Sequence, residues 1–256
     1  MREERLDVSA MATVTTRTEI ERQAQEKPPE ARQLVSFSFY RVDPAWRRLP
    51  AAAKTKQGGE LLAAITRFSK KLMVLTYSLI GMKADVDFLI WGVGERLEDL
   101  QEMSAAVRQT AMGGYLSTPY EYLSMTKRST YVDKLDSDHQ DRRRFITPAK
   151  SAYLFVYPFV KTRDWYQLPF DQRQAMMDEH IVVGNKYPSV RLHTTYSFGL
   201  DDQEFVVAFE TDKPQDFLDL VQELRETKGS LYTLRDTPIF TCVAKPFNAI
   251  LQEIGG

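Results

Sequence analysis

The chain carries one series of landmarks twice, and that limits its fold more than any other feature. Trp46-Arg47-Arg48-Leu49-Pro50 returns as Trp165-Tyr166-Gln167-Leu168-Pro169, and Tyr77-Ser78 returns as Tyr196-Ser197, both 119 residues on. Val107-Arg108-Gln109-Thr110 is answered by Leu224-Arg225-Glu226-Thr227, and Tyr115 by Tyr232, 117 residues on. A unit this long exceeds a solenoid repeat and points to a duplicated domain. Only the second copy has a histidine, His180, in the helix after Leu-Pro. Such an asymmetry places the chemistry in the second half.

Hydrophobic periodicity gives each copy the order strand, helix, two strands, helix, strand. Val35, Phe37 and Phe39 alternate with Ser36 and Ser38, which predicts a strand over 34–40. A helix follows over 59–70, with Leu61, Leu62, Ile65 and Phe68 on one face, then strands over 71–79 and 86–93 and a helix over 97–110. A last strand before Tyr115 and a segment to 131 close the copy. The second copy predicts a strand over 152–159, a helix over 170–183, and strands over 189–198 and 203–210 about a Gly199–Asp202 turn. A helix over 214–227 and a strand over 237–244 end it. This is the ferredoxin-like pattern, an α+β class with helices on one face of an antiparallel sheet. The expected divisions are a disordered arm at 1–32, a domain at 33–131, a charged linker at 132–150 and a second domain at 151–256; Met11 is an alternative start.

A net charge of −1 gives no basic field for nucleic acid. One cysteine, Cys242, excludes an internal disulfide and reads as a small buried side chain. No stretch reaches the length of a membrane span, and the N-terminus lacks the apolar core of a secretory signal, so a cytoplasmic protein is expected.

His180 is flanked at helical spacing by Met176, Met177 and Val183, which puts an imidazole on an apolar stripe. It reads either as a core histidine or as an axial ligand to haem iron. No partner at metal-ligand spacing supports a protein-only zinc site. Tyr157 and Lys161 share one strand face, as a core tyrosine and a snorkelling lysine or as a redox phenol and an anion partner. Pro158 between them suggests a sheet edge or bulge. Arg142, Arg143 and Arg144 are either solvated loop or a carboxylate clamp. His139, His193 and Tyr122 are weaker candidates. The chain has no Gly-x-Ser-x-Gly elbow and no glycine-rich phosphate loop.

Four stretches in order, Tyr157-Pro158-Phe159-Val160-Lys161, Asp164-Trp165-Tyr166-Gln167-Leu168-Pro169, Met177-Asp178-Glu179-His180 and Gly199-Leu200-Asp201-Asp202-Gln203-Glu204-Phe205, resemble the chlorite dismutase-like superfamily. Within it the likeness is greatest to the coproheme decarboxylases, and it covers roughly residues 34–246. The resemblance implies two tandem ferredoxin-like domains forming a dimeric α+β barrel, a pentameric ring, and haem in the C-terminal half. It implies His180 as the proximal ligand of iron in haem b or iron coproporphyrin III. Tyr157 falls on the tyrosine that decarboxylases oxidise to a radical, Lys161 on the lysine beside the reacting propionate, and Trp165 on a tryptophan near the porphyrin. Ser230 and Arg143 match propionate contacts. Chlorite dismutases carry a distal arginine where this chain has Leu192, and they lack a tyrosine at the position of Tyr157. Some decarboxylases use a distal histidine as base, for which His139 is the counterpart.

The resemblance therefore implies hydrogen-peroxide-dependent oxidative decarboxylation of coproheme to haem b, with a coproporphyrin ferrochelatase as a candidate partner. Chlorite breakdown or haem peroxidation on the same scaffold, and a non-catalytic haem-binding protein, are the competing readings.

Overall fold

The computed structural model of the protein describes residues 31–133 and 145–256. The first copy contains β1 (Leu34–Val42), α1 (Pro44–Arg47), α2 (Ala51–Thr66), β2 (Met73–Ser78), β3 (Phe88–Gly94), α3 (Leu97–Gln109) and β4 (Leu116–Met125). The second contains β5 (Tyr153–Lys161), α4 (Arg163–Gln167), α5 (Phe170–Asn185), β6 (Arg191–Tyr196), β7 (Phe205–Thr211), α6 (Pro214–Glu226), β8 (Thr233–Arg235), β9 (Phe240–Ala244) and α7 (Phe247–Glu253). A 3-10 turn precedes β4 at Met112–Tyr115 and another precedes β8 at Lys228–Tyr232, so the repeat extends to the connections.

The main strand pairings are all antiparallel. In the first copy the order is β4-β1-β3-β2, and in the second β9-β5-β7-β6. With β8 and β9, which both pair with β5, counted as two parts of one interrupted strand, both orders read fourth, first, third, second. The copies join at two narrow seams, Met125 opposite Tyr196 and Tyr77-Ser78 opposite Val243-Ala244. Passing from neighbour to neighbour through both seams returns to the starting strand. Strand alternation sends Val35, Phe37, Phe39, Trp91, Tyr122, Leu154, Val156, Val206 and Phe240 to a common interior. Phe39 stacks on Phe240 there at 4.0 Å, a contact between the copies.

Several boundaries differ from the sequence reading. Helix α2 starts at Ala51, because Ala51-Ala52-Ala53 and the long side chains after it are strong helix formers that outweigh Gly58-Gly59. Gly58 also has a packing reason: a Cβ there would lie 3.2 Å from Leu251 of α7. The last strand of the first copy follows Tyr115, since the 3-10 turn takes up the residues before it. Helix α7, which the repeat does not foreshadow, caps the outer face of the first copy with Phe247, Ile250 and Leu251. Pro158 lies in the interval between Val156, the last β5 residue paired to β9, and Val160, the first paired to β8. A missing N–H is tolerated in such a gap, and the register shifts beside it.

The shared interior also buries an acid and a base. His193 Nε2 lies 2.8 Å from Glu210 Oε2, and Glu210 further accepts the backbone N–H groups of Ala149 and Lys150 at 2.8 and 3.1 Å. Burial pushes the Glu210 carboxyl up, but the hydrogen bonds outweigh it and hold the group below its ordinary 4.5. A depressed carboxyl adds stability above its unfolded value and loses it as pH falls through the folded one. Glu210→Ala should cost about 3 kcal/mol, the scale for breaking a buried pair. Denaturant melts at pH 7 and below pH 4.5 should show the parent losing stability in acid and the variant losing less.

Candidate functional site

The two outer layers of the protein are packed differently. The landmark offset sets Leu61 of α2 against His180 of α5 (61 to 180, again 119). Leu61 is 0% exposed in a layer with Ile65, Phe68, Phe88, Ile90, Leu100 and Met103. Helix α5 buries none of its 16 residues; Met176, Met177, His180 and Val183 are all half-buried. Among the described residues the fully buried part of this second layer is Phe155, Tyr157, Phe209, Phe217 and Leu220. Protein interiors are close-packed, so a thinly filled layer under an apolar helix stripe is a feature to be explained. Two truncations should separate the layers in the ligand-free chain. Leu61→Ala is expected to cost about 3 kcal/mol as a cavity in a filled core, and His180→Ala less than about 1 kcal/mol; denaturant midpoints at neutral pH measure both.

The sheet wall opposite α5 is built by alternation. Phe155, Tyr157 and Phe159 on β5, Val207 and Phe209 on β7, and Leu192 on β6 all face the helices. Tyr157 is 8% exposed and stacks on Phe209 at 5.9 Å and 17°. Burial raises its hydroxyl far above the ordinary phenol value, so it stays protonated across all working pH. Leu192, paired with Phe209, shares this wall. Arg191 donates to the Thr147 carbonyl at 2.7 Å, and His193 turns inward to Glu210 beside Trp91, so neither reaches it. Tyr122 and Cys242 also belong to the interior, where burial pushes the Cys242 thiol up and leaves it inert.

At the end of β5, Lys161 and Trp165 meet. Lys161 Nζ sits 4.5 Å from the Trp165 ring centre and donates to the Gly229 carbonyl at 2.6 Å. Burial lowers its pKa to about 8, against an opposing pull from Glu204. Trp165 is 3% exposed, between Tyr131 and Tyr232. Tyr131 also stacks on Phe170, the first residue of α5, at 5.9 Å. The Ser230 hydroxyl lies 2.7 Å from both the Arg225 and Thr227 carbonyls and caps the end of α6. His139 and Arg142–Arg144 lie outside the described residues. Among the described residues, no group of three His, Cys, Asp or Glu side chains could hold a metal ion. His180 is the imidazole on the helix bordering this layer.

The sequence reading gave no role to Glu204, which accepts the Lys161 backbone N–H at 2.8 Å and the Tyr166 hydroxyl at 2.6 Å. The one signal was its place just past the turn, an acid immediately before the apolar run Phe205-Val206-Val207-Ala208-Phe209.

A large antiparallel sheet with helices on its outer faces defines a mixed α/β protein, and that architecture is shared. Chlorite dismutase from Candidatus Nitrospira defluvii, solved in complex with imidazole, is similar with a TM-score of 0.80 at 25% identity, over 88% of this chain and 95% of that one. The chain belongs to the chlorite dismutase family, which it matches over residues 54–245. It is 32% identical over 166 residues to the coproheme decarboxylase of Mycolicibacterium smegmatis, covering 64% of this chain and 70% of that protein. With the coproheme decarboxylase of Staphylococcus carnosus it shares 29% identity over 160 residues, 58% of this chain and 64% of that one. The matched stretches thus span about two thirds of these relatives. Among the described residues, no helix is long and apolar enough to cross a membrane.

Proposed function

We propose that the protein is a haem-dependent oxidoreductase that converts iron coproporphyrin III to haem b with hydrogen peroxide. The observation that carries this reading is the thinly packed layer of the second copy, bordered by the helix that carries His180 and walled on its sheet side by buried Tyr157. We read the two copies as tandem ferredoxin-like units closing an α+β barrel, and the assembly as a homopentamer in the cytoplasm.

His180 would hold the iron and the apolar side chains around Tyr157 the macrocycle. When bound, the iron porphyrin with peroxide supplies the oxidising power. The chain supplies position. Tyr157, kept as a neutral phenol by burial, is suited to give up a hydrogen atom and then take one from the propionate β-carbon. Lys161 fixes the carboxylate by a charge-assisted bond, and Trp165 keeps that ammonium in place. Each of the two reacting propionates becomes a vinyl group as carbon dioxide leaves, the two hydrogens lost reduce one peroxide to two waters, and the other two propionates are kept. His139 as distal base and Arg143 and Ser230 as propionate contacts complete the proposal. A coproporphyrin ferrochelatase is the proposed supplier of the substrate.

Leu192 argues against the chlorite reading, because an alkyl side chain on this wall cannot steer an anionic oxidant as a guanidinium does. The chain titrated with ferric coproporphyrin III and then given peroxide should yield divinyl product by mass. Oxygen release from chlorite without vinyl formation would support dismutation instead, and binding without either product a carrier.

A further inference from the structure

The corner where β5 runs into α4 holds a buried carboxylate that the proposed chemistry does not use. Glu204 is 7% exposed. Its Oε2 takes two hydrogen bonds, from the Lys161 backbone N–H and the Tyr166 hydroxyl. Its Oε1 is buried without a hydrogen bond, and its nearest cation is the highly exposed Arg163 guanidinium at 3.6 Å. An acid desolvated in this way costs stability, so the fold retains it against a penalty. It is fastened to the backbone of Lys161 on one side and to the sequence neighbour of Trp165 on the other.

We infer that Glu204 is a positioning residue for the carboxylate subsite: it ties β5 to α4, holds the Lys161 ammonium over the Trp165 ring, and keeps that ammonium charged for an incoming propionate. The inference rests on the functional reading above and adds a residue to it. The direction of the Lys161 shift agrees, since burial lowers it and, among the described residues, the Glu204 charge opposes the fall. Arg163, Asp164 and Tyr166 on α4, Asp171, Arg173, Asp178, Glu179 and His180 on α5, Lys228 and Tyr232 in the turn after α6 and Arg235 on β8 are the other titratable groups on these bordering elements.

Trace acetylation of lysines in the porphyrin-free chain, followed by peptide mass spectrometry across pH, reads the titration of Lys161 directly. Exposed Lys213 serves as the internal reference. Glu204→Gln keeps an acceptor but loses the charge, so the Lys161 midpoint should fall by about one pH unit. Glu204→Ala loses charge and tie together; Lys161 should leave the corner, and its midpoint should rise toward the ordinary lysine value of 10.5. Opposite shifts from the two variants are not expected of a residue that merely supports the fold. Should Glu204→Ala not fold, Tyr166→Phe replaces it: with one donor removed, more negative charge acts on Lys161 and the midpoint should rise. An unmoved Lys161 in Glu204→Gln, or in whichever second variant folds, overturns the inference. In a parallel titration, Glu204→Ala should bind ferric coproporphyrin III about tenfold more weakly, as expected for a lost charge-assisted bond. A parent chain that binds no ferric coproporphyrin defeats the functional reading, and the lysine titration still decides the role of Glu204.

Discussion

Tyr157→Phe should abolish vinyl formation while leaving porphyrin binding within about threefold of the parent, a difference of under 1 kcal/mol. The two halves of that result have separate physical sources. The ring of Tyr157 packs on Phe209 and is nearly out of water, and phenylalanine keeps both the stack and the burial. The hydroxyl is what disappears, and with it the buried phenol proposed to exchange a hydrogen atom with a propionate. Loss of a positioned reactive group should lower turnover by on the order of a thousandfold. Product mass after peroxide addition, with absorbance titration for binding, measures both halves. A variant that makes haem b at the parent rate would remove Tyr157 from the chemistry.

His180→Ala should weaken ferric coproporphyrin III by at least about 100-fold and change the spectrum of whatever remains bound, because losing even a group that hydrogen-bonds a metal ligand costs up to that much. The same substitution should hardly touch the ligand-free fold, since α5 contributes no buried residue to its layer. Free imidazole added to the variant should restore the parent spectrum in part, by occupying the position the side chain left. An unchanged iron spectrum in His180→Ala would place the iron elsewhere.

Much of this was legible in the sequence because duplication and alternation are strong physical constraints. Offset landmarks gave the two copies, and period two set Leu192 on the opposite face of its strand from its neighbours, but the wall that Leu192 shares with Tyr157 and the inward turn of His193 to Glu210 needed the fold. Pro158 marked the gap between β9 and β8 by its missing N–H. The packing difference between the outer layers was not legible. Leu61 and His180 sit on similar stripes, and only the third dimension shows that α7 returns to fill the first layer. Glu204 was equally hidden, because its partners are a backbone N–H and a hydroxyl distant in the chain. The start of α2 was misplaced because Gly58-Gly59 reads as a boundary until Leu251 is seen against it.

Hydrogen exchange of the chain with and without ferric coproporphyrin III, resolved by peptide, probes most directly whether the later copy alone grips the tetrapyrrole. Slowed exchange confined to Phe170–Asn185 and Tyr153–Lys161, with Ala51–Thr66 unaffected, is the expected outcome. Protection centred on Ala51–Thr66, or none anywhere, would contradict the account.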